Sequence, residues 1–475
     1  VDMSIKKVEQ RDTSDSFGKI AIPDSALWGA QTQRSLQHFT IGRHQFDRRF
    51  IKALVAIKRA CAQANRDAGL LEDELCEAIM TSCDAILQGH HSEQFPLSVW
   101  QTGSGTQTNM NVNEVISSLA NLTLNEHRDE RSGHQWLVHP NDHVNMSQSS
   151  NDIFPSAMHL VVAQLTHDTL FKSLDELETE LAQKQVEFNE ITMVGRTHLM
   201  DALPLTVGAV LSAFCAQLAE AKTAITDSVK KVYRLAIGGT AVGSGSNAPQ
   251  AFGKTVCALL EKQTALPLTS HTNLYAAVSG EDALLRYSAS LKQLASVLFK
   301  MANDFRLLGS GPRCGFNEWQ LPANEPGSSI MPGKVNPTQC EAMSMVCLQV
   351  FGNDLTVSLA ASQGQLQLNT YRPVIIHNVM ESIELLSDAM ASFAEHCVRG
   401  LTLNENQIAA NRAANLSSIT VLAPKLGYEM AAQIVHEAHS GNVSLGEAAE
   451  NLGFYSRAEF DQLLHDQLLE QQNEP

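Results

Sequence analysis

Apolar residues recur every three to five positions through the middle of the chain, the spacing of a buried helical face. Met158, Val161, Leu165, Leu170, Leu174, Leu177 and Leu181 form one such run. Leu211, Phe214, Leu218, Ile225, Val229 and Val232 form a second, and Leu284, Leu291, Leu294, Leu298, Met301 and Phe305 a third. Two more runs cover roughly 338–361, rich in Met, Val and Leu, and roughly 374–398. Helices this long predict a bundle. Their stripes are broad, so either a large monomeric helical core buries them or association between chains does.

The two ends read differently. Residues 1 to about 145 are mixed, with short extended pieces at Ile20–Pro23 and Leu27–Gly29 and helices around 50–65 and 73–88. Thr102–Asn113 is rich in Gly, Ser, Thr and Asn and precedes the apolar Val115-Ile116, which predicts a loop feeding a helix. The last hundred residues predict shorter helices around 405–414, 425–439, 445–451 and 457–470, with Gly441 and Gly453 as breaks. The expected fold is mainly α: a long central helical bundle (146–365), a smaller mixed N-terminal domain (1–145) and a small helical C-terminal domain (366–475).

Composition narrows the function. With 34 Lys+Arg against 51 Asp+Glu, the 475-residue chain carries a formal charge of −17. That balance argues against nucleic acid and anionic membrane surfaces as partners. An anionic substrate would have to be attracted locally. No uninterrupted apolar run approaches the ~18–20 residues of a membrane span, and Val1–Lys7 lacks an apolar signal core, so secretion is not expected. The nine cysteines are scattered without a Cys-x-x-Cys pair, which suits reduced thiols in a cytoplasmic compartment and disfavours zinc or iron–sulfur ligation. A processed mitochondrial protein would read the same way.

Several familiar motifs fail on inspection. Ala248-x4-Gly253-Lys254-Thr255 lacks the first glycine of a phosphate loop, and Gly243-Ser244-Gly245 lacks the rest of a dinucleotide fingerprint. His139 and His143 are four apart, but Pro140-Asn141 between them favours a turn over a metal-binding helix. Four donor-rich segments carry more weight: Gly103–Asn109, Ser147–Asp152, Gly195–His198 and Glu325–Pro337. Hydroxyls, amides and free N–H groups at helix starts suit anions. Singly, each reads as a cap or loop. Four together, each beside a long helix, are hard to explain as coincidental caps.

These segments also carry a resemblance. Gly327-Ser-Ser-Ile-Met-Pro-Gly-Lys-Val-Asn-Pro337 resembles the signature of the fumarase/aspartase superfamily. Its continuation Thr338-Gln-Cys-Glu-Ala-Met343 and Gly333, where aspartases carry alanine, are similar to class II fumarate hydratases. Trp28–Gln33, Thr102–Asn113, His139–Asp142, Ser147–Asp152, Gly195–His198, Gly238–Gly243 and Ser310–Gly315 match as well, so the resemblance runs from about residue 17 to the C-terminus.

The resemblance implies reversible hydration of fumarate to L-malate, a tricarboxylic acid cycle reaction, with no metal and no organic cofactor. Ser328 would remove the carbon-bound proton, and an aci-carboxylate would carry the resulting charge. His198, oriented by Glu341, would serve the oxygen side, a role that suits histidine as a residue type. Ser104, Thr106, Ser149, Ser150, Asn151, Thr197, Ser329, Lys334 and Asn336 would bind the dicarboxylate. A second dicarboxylate site would involve His139, Asn141 and Asp142. There the sequence departs from its relatives, with Trp136 for a common arginine, His143 for aspartate and Met146 for lysine; Gln367 replaces a frequent glutamate. The resemblance further implies a homotetramer whose active sites are shared between subunits. The competing readings are a superfamily lyase that releases ammonia and a non-enzymatic helical scaffold.

Overall fold

The computed structural model describes residues 9–126 and 137–473. In chain order the first elements are β1 (Gln10–Asp15), β2 (Gly18–Pro23), α1 (Ala30–His38), α2 (Arg48–Asp67), α3 (Asp73–Leu87), α4 (Thr106–Glu126), α5 (Ser150–Leu165) and α6 (Phe171–Glu187). There follow β3 (Thr192–Thr197), β4 (Met200–Thr206), α7 (Val207–Val232), β5 (Arg234–Leu235), α8 (Phe252–Thr264), β6 (Thr269–Ser270), α9 (Leu274–Ser279) and α10 (Asp282–Leu308). The last are β7 (Trp319–Gln320), α11 (Thr338–Ala361), α12 (Arg372–Phe393), β8 (Thr402–Leu403), α13 (Glu405–Ala414), α14 (Ile419–Leu426), α15 (Tyr428–Gly441), α16 (Leu445–Asn451) and α17 (Arg457–Asn473). The chain is mainly helical, and its strands pair only two by two among the described residues.

The chain forms two compact units, each built from three stretches. One comprises Val1–Lys172, Lys222–Gln293 and Leu348–Leu386; its aromatic core brings Phe50 to 5.2 Å from Phe46 and 4.9 Å from Phe154. The other comprises Ser173–Ala221, Leu294–Cys347 and Ser387–Pro475, with Phe305 packed on Trp319 (4.8 Å) and Phe393 (5.4 Å). Within it, α14–α17 close a small core of their own around Leu422, Ile434, Ala448 and Phe460.

Every named position of the first three apolar runs is buried within the single chain. Those stripes therefore say nothing about association between chains. Among the exposed apolar residues are four on α11: Met345 (64%), Leu348 (57%), Leu355 (61%) and Leu359 (60%). Their steps of three, seven and four residues trace one face at the heptad spacing of an interhelical seam. The same helix is long and apolar enough by composition to cross a membrane. Its opposite face is core, however: Met343, Cys347, Val350 and Val357 are buried, and buried Asp354 accepts from Ser288 and Lys292 of α10.

Two local expectations need correction. Helix α4 begins at Thr106, inside the stretch expected to be a loop. Thr108, Asn109, Asn111 and Asn113 are buried polar residues, and their composition disguises a helix packed on both sides. Leu27–Gly29 is not a strand, because side chains take its backbone donors: Gln94 accepts from Leu27 N and Glu114 from Gly29 N. The β3–β4 hairpin and helices α8 and α9 were not anticipated.

Candidate active site

In the first unit, two of the donor-rich segments meet. Gly105 adopts φ +75°, and a Cβ there would lie 2.1 Å from the Phe154 ring, so the turn into α4 needs glycine. This turn brings Ser104 Oγ within 2.8 Å of Thr106 Oγ1, and Thr106 Oγ1 within 2.7 Å of Ser150 Oγ. A chain of three hydroxyls thus joins the starts of α4 and α5, 44 residues apart in sequence. Ser149 caps α5 by accepting from Asn151 N, while Asp152 reaches back to accept from Ser149 N, a reciprocal capping box. Asn151 donates its side-chain amide to Ala241 O at 2.8 Å.

Two buried charged groups support these segments, and neither was assigned a role from sequence. Asp152 accepts from Gly238 N and Thr240 N as well as Ser149 N. Burial pushes its carboxyl up to about 6 against the pull of those N–H groups. Lys58 on α2 is fully buried and donates to Asn145 Oδ1 (2.8 Å) and Gln148 Oε1 (2.9 Å), and burial pulls its ammonium down to about 7. The sequence does not single it out, since Lys52 and Arg59 interrupt the same apolar run.

The second unit holds the other two segments. Thr197 and Met200 pair across the β3–β4 hairpin, leaving a two-residue turn of His198 (φ 56°) and Leu199 (φ 62°). Positive φ at both central residues is the pattern of a type I′ turn, which Asn-Gly usually occupies. Histidine and leucine are strained there, so the surroundings must hold the turn. Arg196 supplies one anchor through a bidentate pair with fully buried Glu318 (2.8 and 2.9 Å), which also accepts from Asn411. Asn415 and Ser417 donate to the carbonyls of Ala202 and Asp201. Thr197 and His198 are thereby presented to solvent at a fixed tip.

The loop before α11 closes on itself. Gly327 N donates to Lys334 O (2.8 Å), and Asn336 Nδ2 donates to Gly327 O (2.7 Å). A Cβ on Gly327 would lie 2.6 Å from Lys334 O. Gly333 adopts φ +78°. Inside this loop Ser328 Oγ accepts N–H groups from Ile330 (3.2 Å) and Met331 (3.1 Å). Ser329 and Lys334 are exposed, and Glu341 stands exposed on the first turn of α11. No hydrogen bond joins Glu341 to His198 within the chain among the described residues.

The segment expected to form a second dicarboxylate site is a single π-helical turn, Pro140–Val144, with Val144 buried and Asn141 and Asp142 exposed. His139 Nδ1 accepts from Asp142 N and lies 3.1 Å from Asp142 Oδ2, while His143 Nδ1 accepts from His139 N. Asn141 is exposed beside them, and Trp136 lies outside the described residues. No group of three His, Cys, Asp or Glu side chains placed to hold a metal ion occurs among the described residues.

Comparison with known proteins follows the same outline. Residues 18–352 match the lyase family model, and 419–469 match the model of the fumarase C C-terminus. The class II fumarate hydratase 1 of Pseudomonas aeruginosa is 50% identical over 461 residues, covering 97% of this chain and 98% of that one. The chain belongs to the class II fumarate hydratases. The corresponding protein of Thermosynechococcus vestitus is 49% identical over 455 residues, 96% of this chain and 97% of its own. Among solved structures, the class II fumarase of Schistosoma mansoni superposes with a TM-score of 0.92 at 42% identity, covering 96% of this enzyme and 98% of the other chain.

Proposed function

We propose that this hydro-lyase, which adds water reversibly to fumarate to give L-malate, uses Ser328 as its base on carbon. In the malate direction Ser328, as the alkoxide, takes the proton beside a carboxylate. The electron pair moves into that carboxylate to give an aci-carboxylate, and the hydroxyl leaves as water with a proton supplied by His198. In the fumarate direction the same groups act in reverse.

A serine hydroxyl is a poor base unless its surroundings favour the charged form. The observation that carries the reading is the pair of backbone N–H groups of Ile330 and Met331 aimed at Ser328 Oγ. Preorganised donors of this kind need no reorientation when charge appears, and each is worth about 3 kcal/mol at a developing oxyanion. The Gly327–Lys334 and Asn336–Gly327 bonds fix the loop that holds them. The Ser104–Thr106–Ser150 hydroxyl chain, with Ser149, Asn151, Thr197, Ser329, Lys334 and Asn336, suits a ligand with two carboxylates.

We further propose a homotetramer with active sites drawn from several subunits. The exposed Met345–Leu359 stripe of α11 supports a helix–helix interface between copies. Glu341 can orient His198 across such an interface, since no bond joins them within one chain among the described residues. The test of activity is the loss of fumarate ultraviolet absorbance with stoichiometric L-malate on adding enzyme. Absorbance loss only when ammonia is supplied would contradict the hydratase reading.

A further inference from the structure

Arg372, the first residue of α12, is completely buried, and so is Glu281, its ionic partner at 2.6 Å. A buried ion pair is weak evidence of stability, because desolvation offsets much of the attraction. The use to which this guanidinium is put is more informative. Its Nε donates to Glu281, one terminal nitrogen donates to Val278 O (2.6 Å), and the other donates to Asn151 O (2.8 Å). The backbone N–H of the same residue donates to Gly103 O at 3.1 Å. Arg372 therefore bonds to the main chain of both donor segments in the first unit.

The Asn151 carbonyl is available for a reason visible in the sequence. In an α-helix it would accept from the N–H four residues on, and that residue is Pro155, inside α5. Proline has no N–H, so the carbonyl is an orphan in a buried helix, and Arg372 supplies the missing donor. On the Gly103 side the fit is equally close: a Cβ on Gly103 would fall 1.4 Å from Thr370 O, two residues before Arg372. The Asn151 side chain is separately tied to Ala241 O.

We propose that Arg372, steadied by Glu281, is a positioning residue that registers Ser149–Asn151 against Ser104–Thr106 through the carbonyl that Pro155 leaves free. It touches no substrate. It sets the spacing of the hydroxyl chain that does, and the inference rests on the reading that this chain binds a carboxylate.

Arg372→Lys tests it, since an ammonium keeps the charge opposite Glu281 but lacks the planar fork that reaches three acceptors. Expected are a KM for fumarate raised about tenfold and a kcat lowered about tenfold, with a lower Tm. Adding Pro155→Ala to Arg372→Lys returns a helical N–H to the Asn151 carbonyl. The double variant should regain Tm while KM stays raised. Unchanged KM and kcat in Arg372→Lys would overturn the proposal, and so would recovery of KM together with Tm in the double variant. If Arg372→Lys fails to assemble, Glu281→Gln, which keeps an acceptor for Nε, should raise KM at least threefold; an unchanged KM would again overturn it. Ser150→Ala separates the two readings. If it leaves KM unaltered, the binding role of the hydroxyl chain fails; if it raises KM and Arg372→Lys does not, only the positioning role fails.

Discussion

Met331 donates its backbone N–H to Ser328 Oγ at 3.1 Å, within a loop that the Gly327–Lys334 hydrogen bond closes. The relationship converts an ordinary hydroxyl into one whose anion has partners waiting. It also explains why the loop is framed by glycines. Gly327 packs against the Lys334 carbonyl where no Cβ fits, and Gly333 takes a left-handed turn. Ile330 (82% exposed) and Met331 (49%) keep their side chains outward while their N–H groups point in.

His198 should be separable from the turn that carries it. Asparagine tolerates left-handed backbone better than histidine does, so His198→Asn should keep the hairpin and the Tm. Turnover should fall by ~10²–10⁴, the usual worth of a positioned acid or base. Steady-state kinetics beside a thermal melt check both halves, and a loss below about tenfold would remove His198 from the oxygen side.

Lys58 makes a prediction about pH. Its native pKa, about 7, lies below the value of about 10.4 usual for an unfolded lysine. Between those values the unfolded chain binds more protons than the native one, so this group's contribution to stability grows as pH rises through 7. Lys58→Met abolishes that contribution. The parent's denaturation midpoint relative to the variant's should rise from pH 7 to pH 9, and a difference constant across that window would show that Lys58 titrates normally. Above pH 9 the buried thiols raised by desolvation add the opposite slope.

Leu355→Glu places a carboxylate in the middle of the exposed α11 stripe. Burying it unpaired at an interface would cost several kcal/mol. The native mass should fall from that of a tetramer, and hydratase activity should fall with it. Native mass spectrometry and activity on the same sample decide the matter. A fully active monomer would contradict the shared-site arrangement.

How much of this was legible in the sequence follows from what each feature depends on. The long helices announce themselves because each buries one face within its own chain, and the residues named from periodicity are buried throughout. The exposed α11 stripe was hidden because that helix is apolar on nearly all sides, so periodicity cannot tell the face that meets its own chain from the face that does not. The β3–β4 hairpin was hidden because its turn uses His198-Leu199 where Asn-Gly would be expected, and its anchor, Glu318, lies 122 residues from Arg196. The donor segments were legible by composition. Their supports were not: Arg372 reaches Asn151 across 221 residues, for a reason that lies in Pro155.

The central claim is that Ser328 takes the proton from carbon. It is tested most directly by incubating L-malate with parent and Ser328→Ala enzyme in deuterated water and following deuterium at the methylene carbon by NMR. The variant should bind dicarboxylate with near-parental affinity and keep its fold, while exchange and turnover both fall at least ~10³-fold. Exchange within tenfold of the parent would contradict it.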